Sequence, residues 1–385
     1  MSGRMAGMVE VRERLLLPGP VLMPSQVYRA LGEPIVNHRG PALQACLQEL
    51  TEGLGWLFQT AGRVLIFTAS GTGALESVVA NCFNSGDPVV VATAGSFGER
   101  WAGIARAFRL DVHLYEQPWG QALDPERLAA FATERPDAKA VLVTHSETST
   151  GTVHDLESIA AALAGHPALL AVDAVSSAGA VPFRMDEWGV DIALSGSQKA
   201  LASTPGLSFV AVGERAWSRR GELPRYYFDW DLAATFAERR QTPWTPAIHV
   251  IFATLEALRL LQEEGLESAW ERHRKLGAAV RAGVQALGLR LFSRAAGRSN
   301  TVTAVELPGH VDATVLLGEI RRRTGIVFAG GQGPLAGKVL RFGHLGRLGA
   351  EDVLAGLAAL EEVLPDFGLE VVPSSAVAAA KEELR

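Results

Sequence analysis

Cysteine is almost missing from this chain: Cys46 and Cys82 are the only two among 385 residues. Two thiols build no disulfide framework, and without a C-x-x-C pair there is no zinc site of that kind. A reducing, cytoplasmic setting fits such usage. Long apolar runs are missing too. No stretch reaches the ~18 uninterrupted apolar residues of a membrane span. Arg4, Glu10, Arg12, Glu13 and Arg14 interrupt the segment from Met1 to Leu17, where a signal peptide needs an apolar core. Positive charge is not in excess, and a formal net charge of -6 argues against nucleic acid as a partner. The basic run Arg321-Arg322-Arg323 is short and reads as a solvated helix face. His145 and His154 lack H-E-x-x-H spacing, so they read as satisfied structural histidines and no metal site is expected. No Walker-type phosphate loop occurs, and Glu76 stands where the third glycine of a G-x-G-x-x-G fingerprint belongs.

What is present is the composition of an ordinary soluble globular protein, 48% apolar and 20% charged, long enough to bury a large core. From residue 63, short apolar runs alternate with helical stretches: Val64–Phe67, Pro88–Val91, Ala140–Val143, Ala168–Val172, Val190–Leu194 and Leu207–Val212. Continuous apolar runs suit strands covered on both faces. Their alternation with helices predicts a three-layer α/β/α domain with a mainly parallel sheet. An irregular aromatic stretch over about 215–247 leads into helices at 249–264 and 266–287. After Leu289 come two strand candidates, at 301–305 and 338–342, with helices at 311–323 and 350–364, which predicts a smaller α+β domain. The expected division is an N-terminal arm over 1–21, a large domain over 22–264 and a small C-terminal domain over 265–385, with an alanine-rich tail as a loosely packed helix.

Ligands gather at the carboxyl ends of such strands, and that is where the chemically suggestive residues fall. Phe67-Thr68-Ala69-Ser70-Gly71-Thr72-Gly73 is a strand, a small-residue turn and a helix start, suited to an anion at the helix N-terminus or to a simple cap. Gly95-Ser96-Phe97-Gly98 sets one aromatic among small residues, where it can stack on a flat ligand or join the core. Thr144 to Gly151 is a burst of hydroxyls after a strand. Asp173 ends an apolar run, and a carboxylate buried there needs a cationic or hydrogen-bonding partner, unless it caps a helix. Lys199, in Ser195-Gly196-Ser197-Gln198-Lys199-Ala200-Leu201, follows the next run; desolvation makes such an amine a nucleophile, while an exposed one merely caps a turn. Arg341 sits inside an apolar run and suits a substrate carboxylate or an internal acid. Asn37-His38-Arg39 is a loop that either reaches a site or caps a helix.

Together these residues resemble the class V aminotransferases, fold type I enzymes that use pyridoxal phosphate, and most nearly the alanine-, serine- and ureidoglycine-glyoxylate branch. The resemblance runs from Pro18-Gly19-Pro20 to about Gly346, and its most specific part is Ser195 to Leu201. It implies Lys199 as the Schiff-base lysine, Asp173 as partner of the pyridine nitrogen and Phe97 as the ring-stacking aromatic. It also implies Ser70, Gly71, Thr72 and Gln198 at the phosphate, Thr148 near the cofactor O3′, and Arg341 on the substrate α-carboxylate. Thr242 and Thr245 match a stretch that reaches the phosphate from the other subunit of a homodimer. Thr72 stands where some relatives have histidine and Thr242 where some have tyrosine. The implied reaction moves the amino group of alanine or serine to glyoxylate or pyruvate. Ureidoglycine as donor and a lyase of the same fold are alternatives. A cysteine desulfurase is disfavoured, because no cysteine follows Cys82.

Overall fold

The computed structural model describes residues 13–385, so most of the expected N-terminal arm, including Arg4, Glu10 and Arg12, lies outside the described residues. A seven-stranded sheet runs in the spatial order Arg63–Phe67, Ser208–Val212, Ile192–Gly196, Leu169–Asp173, Ala140–Thr144, Pro88–Thr93 and Asp111–Glu116. The last five are mutually parallel. Ser208–Val212 alone runs antiparallel to both of its neighbours. Successive side chains of a strand face opposite ways, and both faces here are apolar and covered. Val141, Val143, Leu170 and Val172 join one core with the helices Pro41–Phe58 and Ile248–Glu264. Ala140, Leu142, Leu169 and Ala171 join the other with Gly71–Cys82 and Ser96–Ala107. The fold is therefore the three-layer α/β arrangement expected.

A second sheet orders Arg14–Leu16, Ile326–Gly330, Val339–Gly343, Val302–Glu306 and Arg290–Leu291, antiparallel except for the first pair. Its core takes Leu16, Leu276, Val280 and Val284, whereas Leu266, Ala269 and Trp270, from the start of the same helix Leu266–Ala286, belong to the larger core. Among the described residues no helix is long and apolar enough to cross a membrane.

Some elements differ from expectation. Asp111–Glu116, Arg14–Leu16 and Ile326–Gly330 are strands outside the predicted runs. The first is an edge strand whose polar and apolar residues alternate, which weakens its signal. Within the stretch expected to be irregular, Asp229 caps the helix Trp230–Ala237 by accepting from the Leu232 N–H at 2.8 Å. The tail is not loose. Ala376 and Ala380, one turn apart on Ser375–Glu383, are fully buried, and Glu361 accepts from the Ala376 N–H at 2.6 Å. The arginine run is a paired helix face, with Arg321 on Glu13, Arg322 on Glu319 and Arg323 on Asp366.

Candidate active site

Parallel strands bring their carboxyl ends to one edge. Register places Asp173 beside Thr144 on one side and Leu194 on the other. The turns that follow these strands carry Phe97, Thr148 and Lys199 to the same end of the sheet. Lys199 is buried, and its Nζ donates to the Pro18 carbonyl at 2.6 Å. That carbonyl arrives from the second sheet: the chain passes Gly343 so closely that a Cβ there would lie 2.2 Å from the Leu17 carbonyl carbon. Gly19 follows with φ +106°, and its own Cβ would sit 2.5 Å from Lys199 Cδ. Only glycine tolerates both the conformation and the contact.

Burial pushes the Lys199 amine down to about 8, against the pull of Asp173, and Arg341 and Arg100 lower it further. Burial likewise raises Asp173 to about 6, opposed by a hydrogen bond from the Val175 N–H at 2.9 Å. The repulsion of Glu147 adds to the rise, while Lys199 and Arg100 work against it. Each group disfavours its own charge by desolvation and favours that of the other. Lys199 and Asp173 thus share one buried electrostatic environment.

Arg341 is buried in the strand Val339–Gly343. Its Nε donates to the Gly330 carbonyl at 2.8 Å, and Nη1 to the Thr148 carbonyl at 3.3 Å and Gln332 Oε1 at 3.4 Å. No ion pair with a carboxylate forms on it among the described residues, although Glu147 is near enough to favour its charge. Of the two expected partners, an internal acid in direct ion pairing is absent among the described residues.

The remaining residues divide. Ser70, exposed, begins the helix Gly71–Cys82 without a side-chain cap; the Gly73 N–H donates to the Ser70 carbonyl at 2.9 Å, and the Gly71 and Thr72 N–H groups have no partner among the described residues. Arg100 donates to Thr72 Oγ1 at 3.2 Å, and its guanidinium lies 4.7 Å from the Phe97 ring centre, so Thr72 and Phe97 belong to one patch. Gln198 is half-buried and its Oε1 has no partner. The Thr148 hydroxyl donates to Ser176 Oγ at 2.8 Å. Thr242 and Thr245 are not brought to this cluster within one chain. They line a groove with Phe67, Thr68 and Trp244. Thr245 is exposed, while the Thr242 hydroxyl donates to the Trp244 carbonyl at 2.7 Å. Arg39 buttresses that loop, donating to the carbonyls of Thr242 at 2.6 Å and Pro243 at 3.2 Å. Of the two histidines, His154 accepts from the Leu123 N–H at 3.1 Å. His145 differs from expectation, since its Nδ1 is buried without a partner.

The aminotransferase class-V family profile matches residues 26–336. The chain belongs to that family. This class V aminotransferase is 38% identical over 387 aligned residues to a protein named serine–glyoxylate aminotransferase from Methylorubrum extorquens, covering 97% of this chain and 96% of the other. It is 41% identical to one named the small subunit of a soluble hydrogenase from Synechococcus, covering 96% and 98%. The crystal structure of ureidoglycine-glyoxylate aminotransferase from Bacillus subtilis superposes with a TM-score of 0.92 at 34% identity, covering 97% and 98%. The protein is a transaminase. Pro18, Gly19, Arg100 and Glu147 join the site although their sequence context does not single them out. The only local signal was the glycine between two prolines and an acid amid hydroxyls.

Proposed function

We propose that this transaminase binds pyridoxal phosphate and moves the amino group of a small amino acid, alanine or serine, to glyoxylate or pyruvate. One observation carries the reading: a buried amine at position 199, its charge disfavoured, lies within electrostatic reach of the Asp173 carboxylate and of Arg341, on which no ion pair forms among the described residues. The donor set fits the cofactor. The unsatisfied N–H groups at Gly71–Cys82, with Ser70, Thr72 and Gln198, suit its phosphate. Phe97 offers a stacking face, Thr148 a hydroxyl, and Asp173 a buried carboxylate that would partner a protonated ring nitrogen. Bound there, the cofactor supplies an electron-accepting ring that stabilises negative charge at the substrate α-carbon.

The protein's own residues do the rest. Lys199, as the neutral amine, removes the proton from the substrate α-carbon as general base. Asp173 holds a proton on the ring nitrogen. Arg341 orients the substrate by its carboxylate, which sets the Cα–H bond toward Lys199. Arg341 is the arginine assigned to a substrate carboxylate, which suits a donor with a single carboxylate. The likeness to the Bacillus structure supports ureidoglycine as the second donor to test. A homodimer is part of the reading, with Thr245 completing the partner's phosphate site. The free thiols Cys46 and Cys82 support a reducing, cytoplasmic compartment.

A donor panel tests the proposal. Alanine, serine, glycine, aspartate and ureidoglycine are each offered with glyoxylate or pyruvate, and the new amino and 2-oxo acids are quantified. Stoichiometric amino transfer from alanine or serine is expected. Release of ammonia with no new amino acid would point instead to a lyase. The amine also predicts a pH dependence. Since only the neutral form is nucleophilic, the rate at which apoprotein gains visible absorbance from pyridoxal phosphate rises with pH through about 8 and then levels. Stopped-flow traces showing a flat rate across that range would contradict the assigned amine.

A further inference from the structure

Glu147 is 1% exposed, and among the described residues no cation pairs with it. A buried carboxylate is costly unless it is fully hydrogen-bonded. Here two of the four donors come from another part of the fold. The helix Ser96–Ala107 starts at Gly95, which provides no side-chain cap. Its first N–H groups are met from the hydroxyl-rich loop instead. The Ser96 N–H donates to Ser149 Oγ at 3.0 Å. The Phe97 and Gly98 N–H groups donate to Glu147 Oε2 at 3.0 and 3.2 Å. The other carboxylate oxygen accepts from the Ser149 N–H at 3.1 Å and from the Ser149 hydroxyl. Burial raises Glu147, and these hydrogen bonds oppose the rise. The positive end of the helix dipole also favours an anion at this place.

The capping loop carries Thr148 between Glu147 and Ser149. The neighbours turn toward the helix, while the Thr148 hydroxyl turns to Ser176 and its carbonyl accepts from Arg341. One carboxylate therefore ties the helix that presents Phe97 to the loop that presents Thr148 and holds Arg341. Gly95 leaves the room: a Cβ there would lie 2.5 Å from both Glu147 Cγ and Ser149 Oγ. An apolar residue at 147 would leave two helix N–H groups unsatisfied, and a glutamine would set its amide donors against the Ser149 N–H.

We propose that Glu147 is a positioning residue that acts through Phe97, fixing the ring relative to Thr148 so that the cofactor meets a preformed slot. The inference rests on the proposed cofactor contacts of Phe97 and Thr148. The test is titration of apoprotein with pyridoxal phosphate, following visible absorbance and the circular dichroism induced in that band, alongside the apoprotein melting temperature. Glu147→Gln should weaken cofactor binding about tenfold and Glu147→Ala about a hundredfold, with a reduced induced signal in both. Ser149→Ala, a milder change that keeps the carboxylate, should weaken it two- to fivefold, by rough analogy with other lost caps. In a Phe97→Leu background, Glu147→Gln should change affinity by less than about twofold, since the effect runs through that ring. Unchanged affinity and dichroism with only a lower melting temperature would make Glu147 a structural cap and overturn the proposal. So would a full tenfold effect surviving in Phe97→Leu. If the unaltered protein took up no pyridoxal phosphate, the functional reading would fall first.

Discussion

Lys199→Ala abolishes the visible band that amine-bound pyridoxal phosphate gives and lowers turnover by at least about three orders of magnitude, the scale of a positioned acid–base group. The expectation follows from where the amine lies. Lys199 is enclosed, held by the Pro18 carbonyl, and shifted down to about 8 by burial. Of the other lysines, Lys139, Lys338 and Lys381 are exposed and Lys275 is half-buried, so none is placed to replace it. Cofactor affinity should fall far less than turnover, because Asp173, Phe97 and the Gly71–Cys82 helix start remain. Borohydride treatment followed by mass measurement provides the second readout: the unaltered protein keeps one cofactor per chain, the variant none. Far-ultraviolet dichroism should not change, since removing the side chain takes away only a buried amine that is costly to desolvate. A variant retaining more than a tenth of the turnover would end the assignment.

Arg341→Ala should cost about 2–5 kcal/mol of transition-state binding, roughly thirty- to several-thousand-fold in kcat/KM for alanine. A planar guanidinium in a buried strand, with no acid on it among the described residues and no hydrogen bond from its Nη2, is suited to a carboxylate. Arg341 also holds the Gly330 and Thr148 carbonyls, so a simple loss of activity is open to two explanations. A donor without a carboxylate separates them. If Arg341 grips substrate, the loss is large for alanine and small for isopropylamine, and the preference between the two collapses. Equal losses for both donors would assign the arginine to packing alone. Arg341→Lys should fall between the two, because it keeps the charge and loses the fork.

Much of this was legible from residue order. Strands ending in Thr144, Asp173 and Gly196 announced themselves as apolar runs with small or polar ends, because a strand covered on both faces has to be apolar throughout. Lys199, Asp173 and Arg341 stood out for the same reason, as charges next to or inside such runs. Elements with one face in solvent, such as Asp111–Glu116, carry a weaker pattern and escaped notice. The short strand Arg14–Leu16 gains its definition from pairing with Ile326–Gly330 at the far end of the chain.

Local chemistry thus determined the layers of the fold, the end of the sheet where the site lies and the residue types it contains. Tertiary structure alone decided the connections. The Pro18 carbonyl reaches Lys199 across 181 residues, and Glu147 caps a helix fifty residues before it. Arg341 was free to pair with an internal acid until folding gave it carbonyls instead. Periodicity tells each residue which way it faces, because that depends on its immediate neighbours. Which groups satisfy a buried charge depends on what the rest of the chain brings alongside it.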